Sequence, residues 1–290
     1  MPIAATTLYE AEARELLERV GDGAVDMVFL SPPFENPAAP DFSTRVREFA
    51  RVIEQSHRVL SDRGSLFYFS DPGIAGPIRV ILDHIFGKQN FRAEYVWMRT
   101  NLNRQLRHDT ILFYGKTDAA TENQVRRALR EAERRYFVSA EDERGPFRKS
   151  SLEAPLERPN LCFPWRGYMP GPGRSWRYTL ENLEKLFSEG RILMPAGKGR
   201  PALKQYLVDA ESAGLPLGTV WDDIPVERGC GKVAAGHIPL KLAERIALIG
   251  SRPGDLVLDP YAGQGVMLEH FPLNHGHIRQ RRRSSRTRQG

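Results

Sequence analysis

The chain has 290 residues, 41% hydrophobic and 27% charged, with 21 prolines spread along it, a composition that fits a globular domain and excludes a fibrous or disordered chain. No apolar run is long enough for a membrane span, and Met1 to Glu10 lacks the basic and apolar regions of a secretory leader, so a cytoplasmic address is expected. The net charge of +6 resides in the last stretch, where Arg279, Arg281, Arg282, Arg283, Arg286 and Arg288 follow Glu269 with no further acid, so basicity alone is weak support for nucleic-acid binding.

The first predicted element is a helix, Tyr9 to Val20. A strand follows at Val25 to Leu30, whose nearly continuous apolar run suits burial on both faces. A proline-rich loop, Ser31 to Pro40, leads to a second helix, Ser43 to Leu60, with apolar residues at Val46, Phe49, Ala50, Ile53 and Val59. Ser65 to Ser70 is a second central strand, which completes a parallel β-α-β unit. A helix over Ile74 to Phe86 comes next, then Ala93 to Met98 and Thr110 to Tyr114 as a terminal hairpin.

From Ala119 to Gly229 the chain turns polar, with a charged helix expected at Gln124 to Tyr136 and a Pro/Gly/Arg-rich segment at Phe163 to Tyr178. Trp165, Tyr168, Trp176, Tyr178 and Trp221 are too many aromatics for an unfolded linker, so this is an inserted folded region. The αβ pattern resumes with a helix at Pro239 to Gly250, a turn at Arg252 to Asp255 and a short buried strand, Leu256 to Asp259. A glycine-bearing loop, Pro260 to Gly265, then leads to a short apolar segment, Val266 to Phe271. The expected organisation is an α/β domain whose halves are residues 1–118 and 231–271, an insertion at 119–230, and a basic tail at 272–290. Cys162 and Cys230 lack the paired spacing of zinc ligands, and no metal is expected.

Two features carry chemistry. Asp259 ends a strand and is followed by Gly263-Gln264-Gly265, a nucleotide-binding geometry; an ordinary tight strand-to-helix connection is the plain alternative. The turn does not match a dinucleotide fingerprint, because Leu268 stands where the third glycine belongs and no acid follows at the ribose position. Gly231-Lys232 is followed by Val233, which rules out a phosphate-binding loop of the Walker type. Ser31-Pro32-Pro33-Phe34 sits at the carboxyl end of a central strand, where open α/β sheets place their sites. A proline-rich turn with a capping serine and a buried phenylalanine would read the same way.

Together, and in this order, the two motifs resemble the β group of amino-methylating DNA methyltransferases. In that family a (S/D/N)-P-P-(Y/F/W) motif precedes a target-recognition region, and a D-P-F-x-G-x-G motif comes last. The resemblance covers roughly residues 6 to 268 and extends to Trp97, His108 to Tyr114, Gly173 to Thr179, Gly190 to Ile192, Val220 to Ile224, and His237-Ile238-Pro239 before Leu242 to Arg245. It implies a Rossmann-like methyltransferase sheet, S-adenosylmethionine as cofactor, and double-stranded DNA as partner with the target base flipped out. A cognate restriction endonuclease is a further partner it allows.

The resemblance also implies site residues. Ser31 and Pro32 would accept hydrogen bonds from the target amine through hydroxyl and carbonyl oxygens, localising a lone pair otherwise spread into the ring. Pro33 would hold the loop, and Phe34 would stack on the base. Asp259, Pro260, Tyr261, Gly263 and Gly265 would line the cofactor, with Pro239 near its methionine end. Arg166, Arg174 and Arg177 among the insertion's aromatics would contact DNA, although those aromatics could equally be the insertion's own core.

The chain departs from the family pattern after the glycine loop. Members continue with a helix and a G-R-x-(W/Y)-x-G-(I/V)-(D/E) strand whose carboxylate binds the cofactor ribose; here Pro272 interrupts, and Asn274 to Gly290 holds no carboxylate. An altered C-terminal region, a missing strand and an exposed sheet edge are therefore expected. Ser31 favours cytosine N4 as the target, with adenine N6 as the alternative and a catalytically impaired DNA-binding remnant as a rival.

Overall fold

A computed structural model describes residues 6–9, 12–33, 41–99, 107–226, 238–261 and 276–280. The chain divides into two compact units, Met1–Val125 with Gly218–Gly290, and Arg126–Leu217.

In chain order the first unit begins with strand β1 (Thr6–Tyr9), helix α1 (Ala13–Glu18), strand β2 (Val25–Leu30), helix α2 (Phe42–Val59), strand β3 (Leu60–Ser70), helix α3 (Pro72–Leu82), and strands β4 (Phe91–Arg99) and β5 (Arg107–Gly115). The second unit contributes β6 (Arg126–Arg127), α4 (Glu131–Arg135), β7 (Ala140–Asp142), β8 (Gly145–Ser151), β9 (Glu153–Ala154), β10 (Ser175–Trp176), α5 (Leu180–Ser188), β11 (Ile192–Leu193), β12 (Ala202–Tyr206), α6 (Leu207–Ala213) and β13 (Leu215–Pro216). The first unit then resumes with β14 (Val220–Trp221), α7 (Leu240–Gly250), β15 (Leu256–Asp259) and β16 (Gly276–Gln280).

The first unit is built on a sheet of order β1-β16-β15-β2-β3-β5-β4-β14. Among the described residues β5 runs antiparallel to its two neighbours, and every other pairing is parallel. Both faces of the centre are covered, as a parallel sheet requires. Val28, Leu30, Leu66, Tyr68 and Leu258 pack on one face with Leu16 and Leu17 of α1, Phe49, Val52 and Ile53 of α2 and Ile78 of α3. The alternate residues, Met27 and Phe67, face α7, where a Cβ added to Gly250 would collide with the Phe67 ring. α2 forms because Phe49, Val52, Ile53, Ser56 and Val59 bury one stripe. α3 starts at Pro72, with the Asp71 carboxylate accepting from the Gly73 amide at 2.8 Å.

Several expectations need correction. The predicted first helix is shorter, because Thr6-Thr7-Leu8-Tyr9 is a strand. The hairpin of β4 and β5 is not terminal, since Val220-Trp221, read from sequence as part of the insertion, adds β14 parallel to β4, with Trp221 stacked on Tyr95 at 4.5 Å. The Gln124 to Tyr136 helix is replaced by β6 and the short α4, because the segment lacks an apolar stripe and the Arg127 guanidinium instead grips both Glu133 oxygens at 2.7 and 2.5 Å. The missing strand is present: Gly276–Gln280 pairs with β15 on one side and β1 on the other. Ladder pairing uses backbone groups alone, so the absent carboxylate costs the sheet nothing, and β15 is not an edge.

The second unit has its own core, Leu152, Leu161, Trp165, Trp176, Leu183, Ile192 and Leu203. It is built around the four-stranded sheet β11-β12-β8-β7. Trp165 and Trp176 are therefore structural, with Tyr168 and Tyr178 packed against them.

Candidate active site at the carboxyl ends of β2 and β15

The site follows from topology. β2 and β15 lie side by side in parallel, with Met27 opposite Val257 and Val28 opposite Leu258. From β2 the chain moves through α2 to β3 on one side, and β16, which follows β15 in the chain, lies on the other. Where neighbouring parallel strands send the chain opposite ways, the connecting loops part and leave a crevice at their carboxyl ends. Ser31-Pro32-Pro33 leaves β2 into that position, and Pro260-Tyr261 leaves β15 beside it. Pro32 and Pro260 are buried, while Ser31, Pro33 and Tyr261 are half-exposed.

Residue 259 lies on the same side of its strand as Val257, because side chains alternate along it. The Asp259 side chain is 7% exposed, and its Oδ1 accepts from the Tyr261 amide at 3.1 Å, which fixes the first turn of the loop. Pro239 reaches the same edge by a different route. α7 ends at Gly250, and a turn with Gly254 at φ +91° and Asp255 N–H donating to the Arg252 carbonyl at 3.0 Å sends the chain back along the sheet as β15. The helix spans about 16 Å and the strand about 13 Å. α7 packs on β3 through Gly250 and Phe67, and because the chain turns back from its end into β15, its N-cap Pro239 lies toward the carboxyl-end edge of the sheet.

Phe34, Gly263 and Gly265 lie outside the described residues. Of the predicted DNA contacts, Arg166, Arg174 and Arg177 are all exposed in the second unit. Arg177 Nε donates to the Glu153 carbonyl at 3.0 Å, and Arg166 Nη2 is paired with Glu184 Oε2 at 2.6 Å.

Sequence reasoning missed two groups at the same edge of the sheet. Tyr68, in register with Leu30, is 1% exposed, yet its hydroxyl has no hydrogen-bond partner among the described residues; burial raises its pKa well above the ordinary value, and the nearby Tyr261 adds to the shift. Asp109, 1% exposed, faces Arg99 Nε at 2.5 Å, and burial raises its pKa against the pull of that guanidinium. Leu-Phe-Tyr-Phe in the sequence marks a core strand without distinguishing the polar tip of Tyr68. Asp109 lies within His108 to Tyr114, which the resemblance includes without giving this residue a role, and just before the predicted strand. An unpartnered buried hydroxyl beside Tyr261, a half-exposed serine, a positioned carboxylate and a helix N-terminus form a donor and acceptor set that suits a zwitterionic, ribose-bearing cofactor.

A profile of a DNA methylase family, the N6/N4 methyltransferases, matches residues 25–270. The type II methyltransferase M.EcaI of Enterobacter cloacae is 27% identical over 276 residues, covering 85% of this chain and 59% of the relative. M.BamHI of Bacillus amyloliquefaciens is 23% identical over 269 residues, covering 89% and 50%. The chain thus spans less than two thirds of the length of these curated relatives. Among solved structures, a DNA modification methylase of Thermus thermophilus has the same fold, with a TM-score of 0.50 and 18% identity over 96% of this chain and 89% of that one. That protein has also been crystallised in complex with S-adenosyl-L-methionine. With the profile spanning both motif loops and the strands that carry them, the chain belongs to the S-adenosylmethionine-dependent, amino-methylating DNA methyltransferases of the N6/N4 family.

Proposed function

We propose that this chain methylates an exocyclic amino group of a base in double-stranded DNA, with cytosine N4 as the preferred target and S-adenosylmethionine as the methyl source. The observation that carries the reading is the parallel pairing of β2 with β15, which puts Ser31-Pro32-Pro33 beside Asp259-Pro260-Tyr261 at the point where the chain diverges. The Ser31 hydroxyl and Pro32 carbonyl accept hydrogen bonds from the target amine, drawing its lone pair out of conjugation with the ring. Two successive prolines limit the loop's backbone freedom, so the acceptors are in place before the base arrives. Phe34 stacks on the extruded base. Asp259, Tyr261, Gly263, Gly265 and Pro239 hold the cofactor, which supplies an electrophilic methyl group when bound. Arg166, Arg174 and Arg177 contact DNA, and the names of the relatives make a cognate restriction endonuclease the natural companion.

The test is nucleoside mass spectrometry of duplex DNA incubated with the chain and isotopically labelled S-adenosylmethionine. Labelled N4-methylcytosine is the expected product, and labelled N6-methyladenine would replace the target assignment. A second reading, a DNA-binding remnant without activity, draws on one observation: β16 keeps its place in the sheet but Gly276–Gln280 carries no carboxylate. Calorimetric titration separates the two, since no binding at millimolar S-adenosylmethionine would leave only the remnant.

A further inference from the structure

Trp165, Arg166, Gly167 and Tyr168 form a two-residue hairpin turn in which the Trp165 and Tyr168 amides each donate to the other's carbonyl at 2.8 Å. Both central residues have positive φ, +47° at Arg166 and +82° at Gly167. Asn, Asp or Gly normally fills such a position, because a longer side chain meets backbone strain there. Arg166 is the one non-glycine residue with positive φ among the described residues.

Its side chain is held in place. The guanidinium lies 3.8 Å over the Phe187 ring, and Nη2 donates to Glu184 Oε2 at 2.6 Å. The other oxygen of Glu184 accepts from Nε1 of the buried Trp165 at 2.8 Å, so the carboxylate is itself fixed to the core. Stacking and a single carboxylate contact leave the remaining N–H donors of the guanidinium without an acceptor among the described residues.

We propose that Arg166 is a specificity-determining residue that reads a guanine through its O6 and N7 acceptors. This rests on the DNA-methyltransferase reading above. Phosphate is the poorer partner, since Glu184 already neutralises the positive charge, whereas a neutral base edge needs only donors held at a fixed angle. Stacking on Phe187 and the tie to Glu184 remove the rotamer freedom that an arginine otherwise loses on binding. Arg174, whose exposed guanidinium has no hydrogen bond or ion pair among the described residues, is suited to phosphate instead, and the two arginines should therefore differ in salt dependence.

The experiment selects bound duplexes from a library with a randomised central segment, using wild type, Arg166→Asn and Arg174→Ala. Asparagine tolerates positive φ, so the turn survives the loss of the guanidinium. Wild type should enrich a motif with a fixed guanine. Arg166→Asn should lose discrimination at that one position by roughly 10- to 100-fold, with its salt dependence unchanged. Arg174→Ala should weaken binding to all sequences and lower the slope of log K against log salt by about one. If wild type enriches a motif and Arg166→Asn enriches the same one, melting at a lower temperature or not, the arginine serves only the turn and the assignment fails. If wild type enriches nothing, the DNA-recognition reading fails first and takes Arg166 with it.

Discussion

In the proposed function Ser31 matters more to catalysis than to folding. Half-exposed at a strand end, it contributes an oxygen and almost no buried surface. Ser31→Ala should lower the methylation rate by about 100-fold or more while leaving the affinity for S-adenosylmethionine within a factor of about two, as parallel rate and binding measurements would show. Tyr68 is the opposite case, since its unpartnered hydroxyl is a cost to the ligand-free fold. Tyr68→Phe should stabilise that form by about 1 kcal/mol, read from the urea midpoint; a destabilised variant would mean that the hydroxyl has a partner in solution. Neither role follows from residue type, since serine before two prolines and tyrosine in an apolar run are both ordinary sequence.

At the scale of elements, α7 is the piece on which the site depends most, because it carries Pro239 at one end and packs against the central strands at the other. Gly250 closes over Phe67 with no room for a methyl group. Gly250→Ala should cost about 1 to 3 kcal/mol, detectable as a lower thermal midpoint. α7 is also tied to the outer strand, where Arg245 makes a bidentate pair with Asp223 at 2.8 and 2.7 Å and lies over the Trp221 ring. The sequence revealed β2, β3, α2, α7 and β15 because each bears a continuous apolar run or a clear helical stripe. It did not reveal β14 or β16: two residues are too few to show a period, and Gly276–Gln280 is held by neighbouring backbones. Among the candidate site residues, Ser31 and Asp259 stand out in the sequence because a motif coincides with a strand end, and Pro239 because it opens a clear helical stripe. Tyr68 and Asp109 were not, since what distinguishes them is burial.

The two units of the molecule should respond differently to acid. In the second unit the Arg127 guanidinium holds the Glu133 carboxyl down at about 2, and the Lys204 ammonium, 2.7 Å away, holds Asp142 at about 2. Their unfolded-state values are higher, 4.5 and 3.8. Unfolded chain therefore binds protons first as pH falls, and the stability these pairs give is complete above about pH 4.5 and lost toward pH 2. Asp109 in the first unit is shifted the other way, so ionising it as pH rises through the range above 3.8 works against the fold. Calorimetry from pH 2 to 6 should show a midpoint falling with acid for the second unit, and Glu133→Gln combined with Asp142→Asn should flatten that dependence. No helix among the described residues is long and apolar enough to cross a membrane.

The order of the strands also sets a timetable. β2, which delivers Ser31, is synthesised early and can pair at once with β3, then with the β4–β5 hairpin through β3. Its other neighbour, β15, is made only after the whole of Arg126–Leu217, and β1 waits longer still for β16. At about 5 to 20 residues per second, the nascent chain spends several seconds with one side of β2 unpaired while the second unit emerges and can fold on its own core. The candidate site between β2 and β15 is thus assembled only after the second unit has been made, and a ribosome that stops before Leu256 releases a chain in which that side of β2 is an open sheet edge.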